Sequence, residues 1–178
     1  MTIAERVVEC IEKSAANQTE NALIQVCIAL DATAKNEHPT TKKVGKRFKA
    51  FIQSNHDVIT FFSLNGNIVK NTFRVGDLTF TEMVYKVLRC GLLHEGELPK
   101  LLKFAPPGQT VSFSDQLWHL PTTFVTGTLL AVIGAATNAN HRIGPNYKVT
   151  FAGKDFPIND LWGRIDKVRD AIYAGRDV

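Results

Sequence analysis

The chain of 178 residues carries 21 Lys and Arg against 17 Asp and Glu, a formal net charge of +4, and 44% of its residues are hydrophobic. That composition is ordinary for a soluble globule with one sizeable core, and its mildly basic balance permits an anionic partner without demanding one. Three cysteines, Cys10, Cys27 and Cys90, lack Cys-x-x-Cys or zinc-finger spacing, which excludes a disulfide scaffold and fits a reducing, intracellular compartment.

In chain order, Ile3, Ala4, Val7, Val8 and Ile11 share one face of a helix over 3–15, opened by a Thr2–Glu5 capping box. Glu5, Arg6 and Glu9 stand where a signal peptide needs an uninterrupted apolar run. A second helix over 20–35 is apolar nearly all round, from Ala22 to Leu30, and so belongs inside other helices. Pro39 suits the first turn of a third helix over 39–54, whose buried stripe is Val44, Phe48, Phe51 and Ile52. The same helix carries Lys42, Lys43, Lys46 and Arg47 outward. Between Lys35 and Lys49 six cations face the single acid Glu37, which makes this the best basic patch of the chain.

His56 and Asp57 begin one further turn through Phe62, and Asn65-Gly66 signals a turn beside a short extended segment near 65–75. Phe80, Met83, Val84, Val87, Leu88 and Leu92 then recur at helical spacing over 79–94, behind a second capping box, Thr79 with Glu82. Residues 98–104 read as a short turn of helix and 110–113 as a short strand. A largely buried helix spans 121–138, with Gly127 and Gly134 allowing a neighbour to approach closely. Its apolar run, 124–136, is too short to cross a bilayer and contains Thr126, Gly127 and Thr128. The alternation around Ala152-Gly153 predicts a small hairpin, and Asn159 or Asp160 caps a last helix to about residue 174. The expected fold is therefore mainly α, an up-and-down helical bundle in a single domain over 1–178 with a small C-terminal β-hairpin, and the expected location is the cytoplasm, off the membrane.

Candidate chemistry concentrates at the end of the 79–94 helix. Arg89 is a permanent cation, and His94 moves protons near neutrality. A packed helix end also suits a snorkelling Arg and a His placed on the negative end of the helix dipole. No His-Glu-x-x-His occurs, and His38, His56, His119 and His141 show no ligand spacing, so no metal and no cofactor is expected. Gly-x-Ser-x-Gly is absent, and no histidine is marked as a partner for Cys90.

Arg89-Cys90-Gly91-Leu92-Leu93-His94 resembles the Arg, four to six residues, His motif of the HEPN superfamily, helical bundles many of which are metal-independent ribonucleases. The resemblance covers best residues 20–96. It implies a HEPN-like domain in which Arg89 and His94 are catalytic and Lys42, Lys43, Lys46 and Arg47 hold RNA. It also implies a homodimer with the two motifs facing each other, and an antitoxin or regulatory protein as partner in toxin or phage-defence function. Residues five apart on a regular α-helix lie about 140° apart, so Arg89 and His94 share a face only if the helix loosens at Gly91, or act together across a dimer. Cys90 stands where active members commonly carry Asn or Asp. The alternative is thus an inactive helical interaction or RNA-binding module of the same shape.

Overall fold

A computed structural model describes residues 1–64, 66–69, 74–75, 77–86, 88, 102–105, 112–114 and 117–174. Helix α1 (Ile3–Ala15) starts where the sequence places it, with the Glu5 amide donating to Thr2 Oγ1 at 3.2 Å and the Thr2 amide to Glu5 Oε2 at 2.6 Å. It buries Ile3, Val7 and Cys10 against α2 (Thr19–Glu37). A turn in which Asn17 takes φ 57° joins the two, so they pack antiparallel. Helix α2 buries residues on two sides, from Ala22 and Leu23 to Thr33 and Ala34, because it lies between α1, α3 and α6.

Helix α3 (Val44–Ser54) begins five residues after Pro39, later than the sequence predicts. Pro39 disfavours the helical region at His38 and ends α2, whereas residues 39–43 offer no apolar side chain to bury, so winding resumes only at Val44. Asn55 caps α3 and leads directly into α4 (His56–Ser63), which ends one residue beyond the Phe62 that the sequence suggests. Strands β1 (Arg74–Val75) and β2 (Leu78–Thr79) pair antiparallel, at the far end of the expected extended segment. Helix α5 (Phe80–Val84) opens on the Thr79–Glu82 capping box, and Tyr85, Lys86 and Leu88 continue it in a wider, π-type winding.

Residues 102–104 are a strand rather than a helical turn. Strand β3 (Leu102–Ala105) runs parallel to β5 (Leu117–Pro121), which pairs antiparallel on its other side with β4 (Ser112–Ser114). Leu102 and Ala105 are buried and Lys103 exposed, and the prolines that follow favour extended backbone before them. The buried helix is α6 (Thr123–Gly134), followed by a 3-10 turn at Ala136–Asn138. The C-terminal hairpin forms as predicted from β6 (Lys148–Phe151) and β7 (Lys154–Pro157), around Ala152 and Gly153 at φ 49° and 72°.

The last helix, α7 (Ile165–Tyr173), starts later than the sequence predicts. Asn159 is not its cap, because its amide pairs with both backbone groups of Ile143, at 3.0 and 2.9 Å. A 3-10 turn at Ile158–Asp160 and Gly163 at φ 70° intervene. The protein is thus mainly α-helical with small sheets, and one apolar cluster runs from Ile3 to Ile172.

A polar tie closes α7 onto the α3–α4 junction. Arg169 donates through Nε and Nη2 to the Asp57 carboxylate at 2.8 and 3.2 Å, and Nη2 also reaches the Ser54 carbonyl at 2.7 Å. Burial pushes the Asp57 carboxyl up, but the hydrogen bonds and charge of Arg169, with the Val58 amide and Tyr173, outweigh it and hold the group below its usual range. A depressed carboxyl contributes stability above its unfolded value of about 3.9 and loses it as pH falls through the folded value. Arg169→Met is expected to destabilise the fold by about 1–2 kcal/mol at pH 7, the half-exposed guanidinium being partly screened. Urea unfolding should show that gap to the wild type narrowing near pH 3.

Candidate nucleic-acid interface

The basic helix packs on the start of the motif helix. Phe48, Phe51 and Ile52 anchor α3 in the core, which leaves Lys46 exposed and Arg47 half-buried, whereas Lys42 and Lys43 stand exposed just before the helix rather than on it as the sequence predicts. Thr81 donates to Gln53 Oε1 at 3.1 Å, and Tyr85 meets Phe48 edge to face with ring centroids 5.7 Å apart. Gly45 makes that approach fit, since a Cβ there would stand 2.7 Å from the Tyr85 hydroxyl and 2.8 Å from its Cζ. Lys49 Nζ lies 5.9 Å from the centroid of the same ring.

Two further cations extend the face. The Glu82 carboxyl is held below its usual range, first by the Thr79 backbone amide, then by the Thr79 hydroxyl, with Lys49 and Arg74 adding smaller attractions. Lys49 and Arg74 therefore flank the opening of α5. Sequence reasoning counted Lys49 in the basic patch but missed Arg74 and Tyr85, because only the α3–α5 packing brings them together. Arg89, His94 and the intervening Cys90 and Gly91 lie outside the described residues. Leu88, the residue before Arg89, is buried.

His56 supports this region from beneath. It is 3% exposed, its Nδ1 lies 2.8 Å from the Val69 carbonyl, and its ring meets Phe80, the first residue of α5, edge to face at 5.3 Å. One side chain thus ties α4 to the segment after it and to the motif helix.

Other chemistries find little support. Among the described residues no group of three or more His, Cys, Asp or Glu side chains could hold a metal ion. Cys10 and Cys27 are buried thiols, and burial pushes both up, Cys10 to about 12, so neither is a nucleophile at neutral pH. An open groove of about 530 Å³ along α1, lined by Ala4, Val8, Glu5, Glu9 and Arg142, gathers no acid–base pair around a reacting centre. No described helix is long and apolar enough to cross a membrane.

These features define a mainly α-helical protein in which the basic helix α3 packs against the short helix α5. The chain belongs to the Rv1289 family, whose profile matches residues 2–177. It is 23% identical over 190 residues to "Uncharacterized protein Rv1289" of Mycobacterium tuberculosis (strain ATCC 25618 / H37Rv), covering 99% of this chain and 90% of that one. "Uncharacterized protein Mb1320" of Mycobacterium bovis (strain ATCC BAA-935 / AF2122/97) shows the same identity and coverage. No solved structure matches the chain.

Burial lowers the affinity of His56 for a proton, against the smaller pull of the Val69 carbonyl and Asp57. The unfolded chain, with His near 6.5, then binds the proton more readily, so stability is complete above about pH 6.5 and falls as pH drops below it. Comparing urea unfolding at pH 7.5 and 5.5, the wild type should lose more stability on acidification than His56→Gln.

Proposed function

We propose that this protein is a metal-independent endoribonuclease of HEPN type, acting in the cytoplasm as a homodimer in a toxin or phage-defence role under an antitoxin or regulatory protein. The observation that carries the reading is the packing of α3, through Phe48 and Gln53, against Tyr85 and Thr81, which brings the basic helix beside the segment that precedes Arg89 in the sequence. The π-type winding at Tyr85, Lys86 and Leu88 supports it, because such departures from α geometry recur at functional sites.

The chemistry follows from residue types. The 2′-oxygen of the RNA forms a bond to phosphorus while the bond to the 5′-oxygen breaks, leaving a 2′,3′-cyclic phosphate and a 5′-hydroxyl. His94 carries the proton, taking it from the 2′-hydroxyl or giving it to the leaving oxygen. Arg89 holds two phosphate oxygens and opposes the charge that grows at phosphorus. Lys42, Lys43, Lys46 and Arg47 hold the backbone without reading sequence. Dimerisation brings the two motifs together.

A second reading, an inactive RNA-binding or interaction module, is favoured by Cys90 in place of the polar residue of active HEPN proteins. Purified protein on RNA without metal decides between them. His94→Ala should abolish cutting and leave RNA affinity nearly intact, and Arg89→Ala should reduce both. Replacing Lys42, Lys43 and Lys46 by Gln should flatten the slope of log affinity against log salt by about 2. Cutting that survives His94→Ala, needs a divalent ion or destroys DNA would exclude the mechanism. Salt-dependent RNA binding with no cutting would assign the inactive module.

A further inference from the structure

Gly45 is the second residue of α3, and glycine favours a helix less than alanine does. Its compensating gain is visible in the packing, because alanine there would strike Tyr85 at the hydroxyl and the ring. The ring so admitted is half-buried and meets Phe48 at 63°, with centroids 5.7 Å apart. Lys49 stands at the outer limit of cation–π contact, held on a flexible stem rather than locked in place. A half-buried aromatic ring held in place by its neighbours, with a lysine beside it, is an arrangement on which a nucleobase stacks, and stacking requires a base free of its partner strand.

We infer that Tyr85 is a stacking platform for one unpaired nucleobase, with Lys49 turning from the ring to an adjacent phosphate, so that this face takes a single strand and not a duplex. The inference rests on the RNA-binding reading above and adds the substrate class and a specificity residue to it. Tyr85 acts through the face of its ring, so its hydroxyl is dispensable and its position over Gly45 is not.

The test uses the full chain and a single-stranded 2′-O-methyl oligonucleotide carrying 2-aminopurine, which cannot be cut through a 2′-hydroxyl. Binding to wild type and Tyr85→Phe should quench the 2-aminopurine fluorescence, whereas Tyr85→Leu should lose the quenching and bind on the order of tenfold more weakly. Gly45→Ala, which keeps the ring and displaces it, should move both readouts the same way, and thermal melting of each variant identifies any that fails to fold. The same sequence as a duplex should compete poorly. Equal quenching by wild type, Tyr85→Leu and Gly45→Ala, or a loss in Tyr85→Phe as large as in Tyr85→Leu, overturns the inference and leaves His94-dependent cleavage untouched. Tyr85-dependent quenching by a protein that cuts no RNA supports the platform and removes the nuclease. No binding to any oligonucleotide removes both.

Discussion

A helix with no polar face has to be enclosed, and the enclosure of α6 organises this molecule. Ten of its residues, from Phe124 to Gly134, are buried, and each large apolar side chain kept from water is worth about 1.5–3 kcal/mol. Two glycines set how closely the neighbours come. A Cβ at Gly127 would stand 3.2 Å from the Ile59 Cα of α4, and one at Gly134 would stand 2.8 Å from the Ile165 Cα of α7. The end of α6 is fixed by a buried amide, since Asn138 Nδ2 donates to the Val132 carbonyl at 2.7 Å and to Thr33 Oγ1 of α2 at 3.0 Å. Only the amino end can face a carbonyl, so the orientation of Asn138 is dictated by Val132. Helices α4, α2 and α7 are thereby held around one axis, and α3 and α5 inherit their places from α4 and α2.

Local chemistry was legible in the sequence where it closes within one turn. Both capping boxes, Thr2 with Glu5 and Thr79 with Glu82, form as read, since each needs only residues three apart. The hairpin at Ala152-Gly153 is equally local. Two of the misread boundaries turn on partners outside the local segment. Asn159 looks like a cap until its amide is seen on Ile143, and 102–104 looks helical until β5 supplies the strand beside it. Pro39 offers a helix start, but the apolar stripe that stabilises winding begins at Val44.

The same distinction governs the candidate site. The basic face of α3 could be read from charge against apolar spacing, because the stripe that anchors the helix decides which side is left outside. Tyr85 and Arg74 could not, because nothing in their spacing announces that α3 and α5 touch. Gly45 was the available signal, an unfavourable residue inside a helix pattern, which marks a place where something else comes close. The Arg89 and His94 pairing rests on the resemblance of their motif.

The bond between Arg169 and Asp57 joins positions 112 residues apart. During synthesis the chain emerges from the N-terminal end, so α1 to α4 are available long before α7 leaves the ribosome. Until then Asp57 has no guanidinium and one side of α6 has no cover. The nascent chain therefore presents an apolar seam along α6 until α7 emerges to cover it.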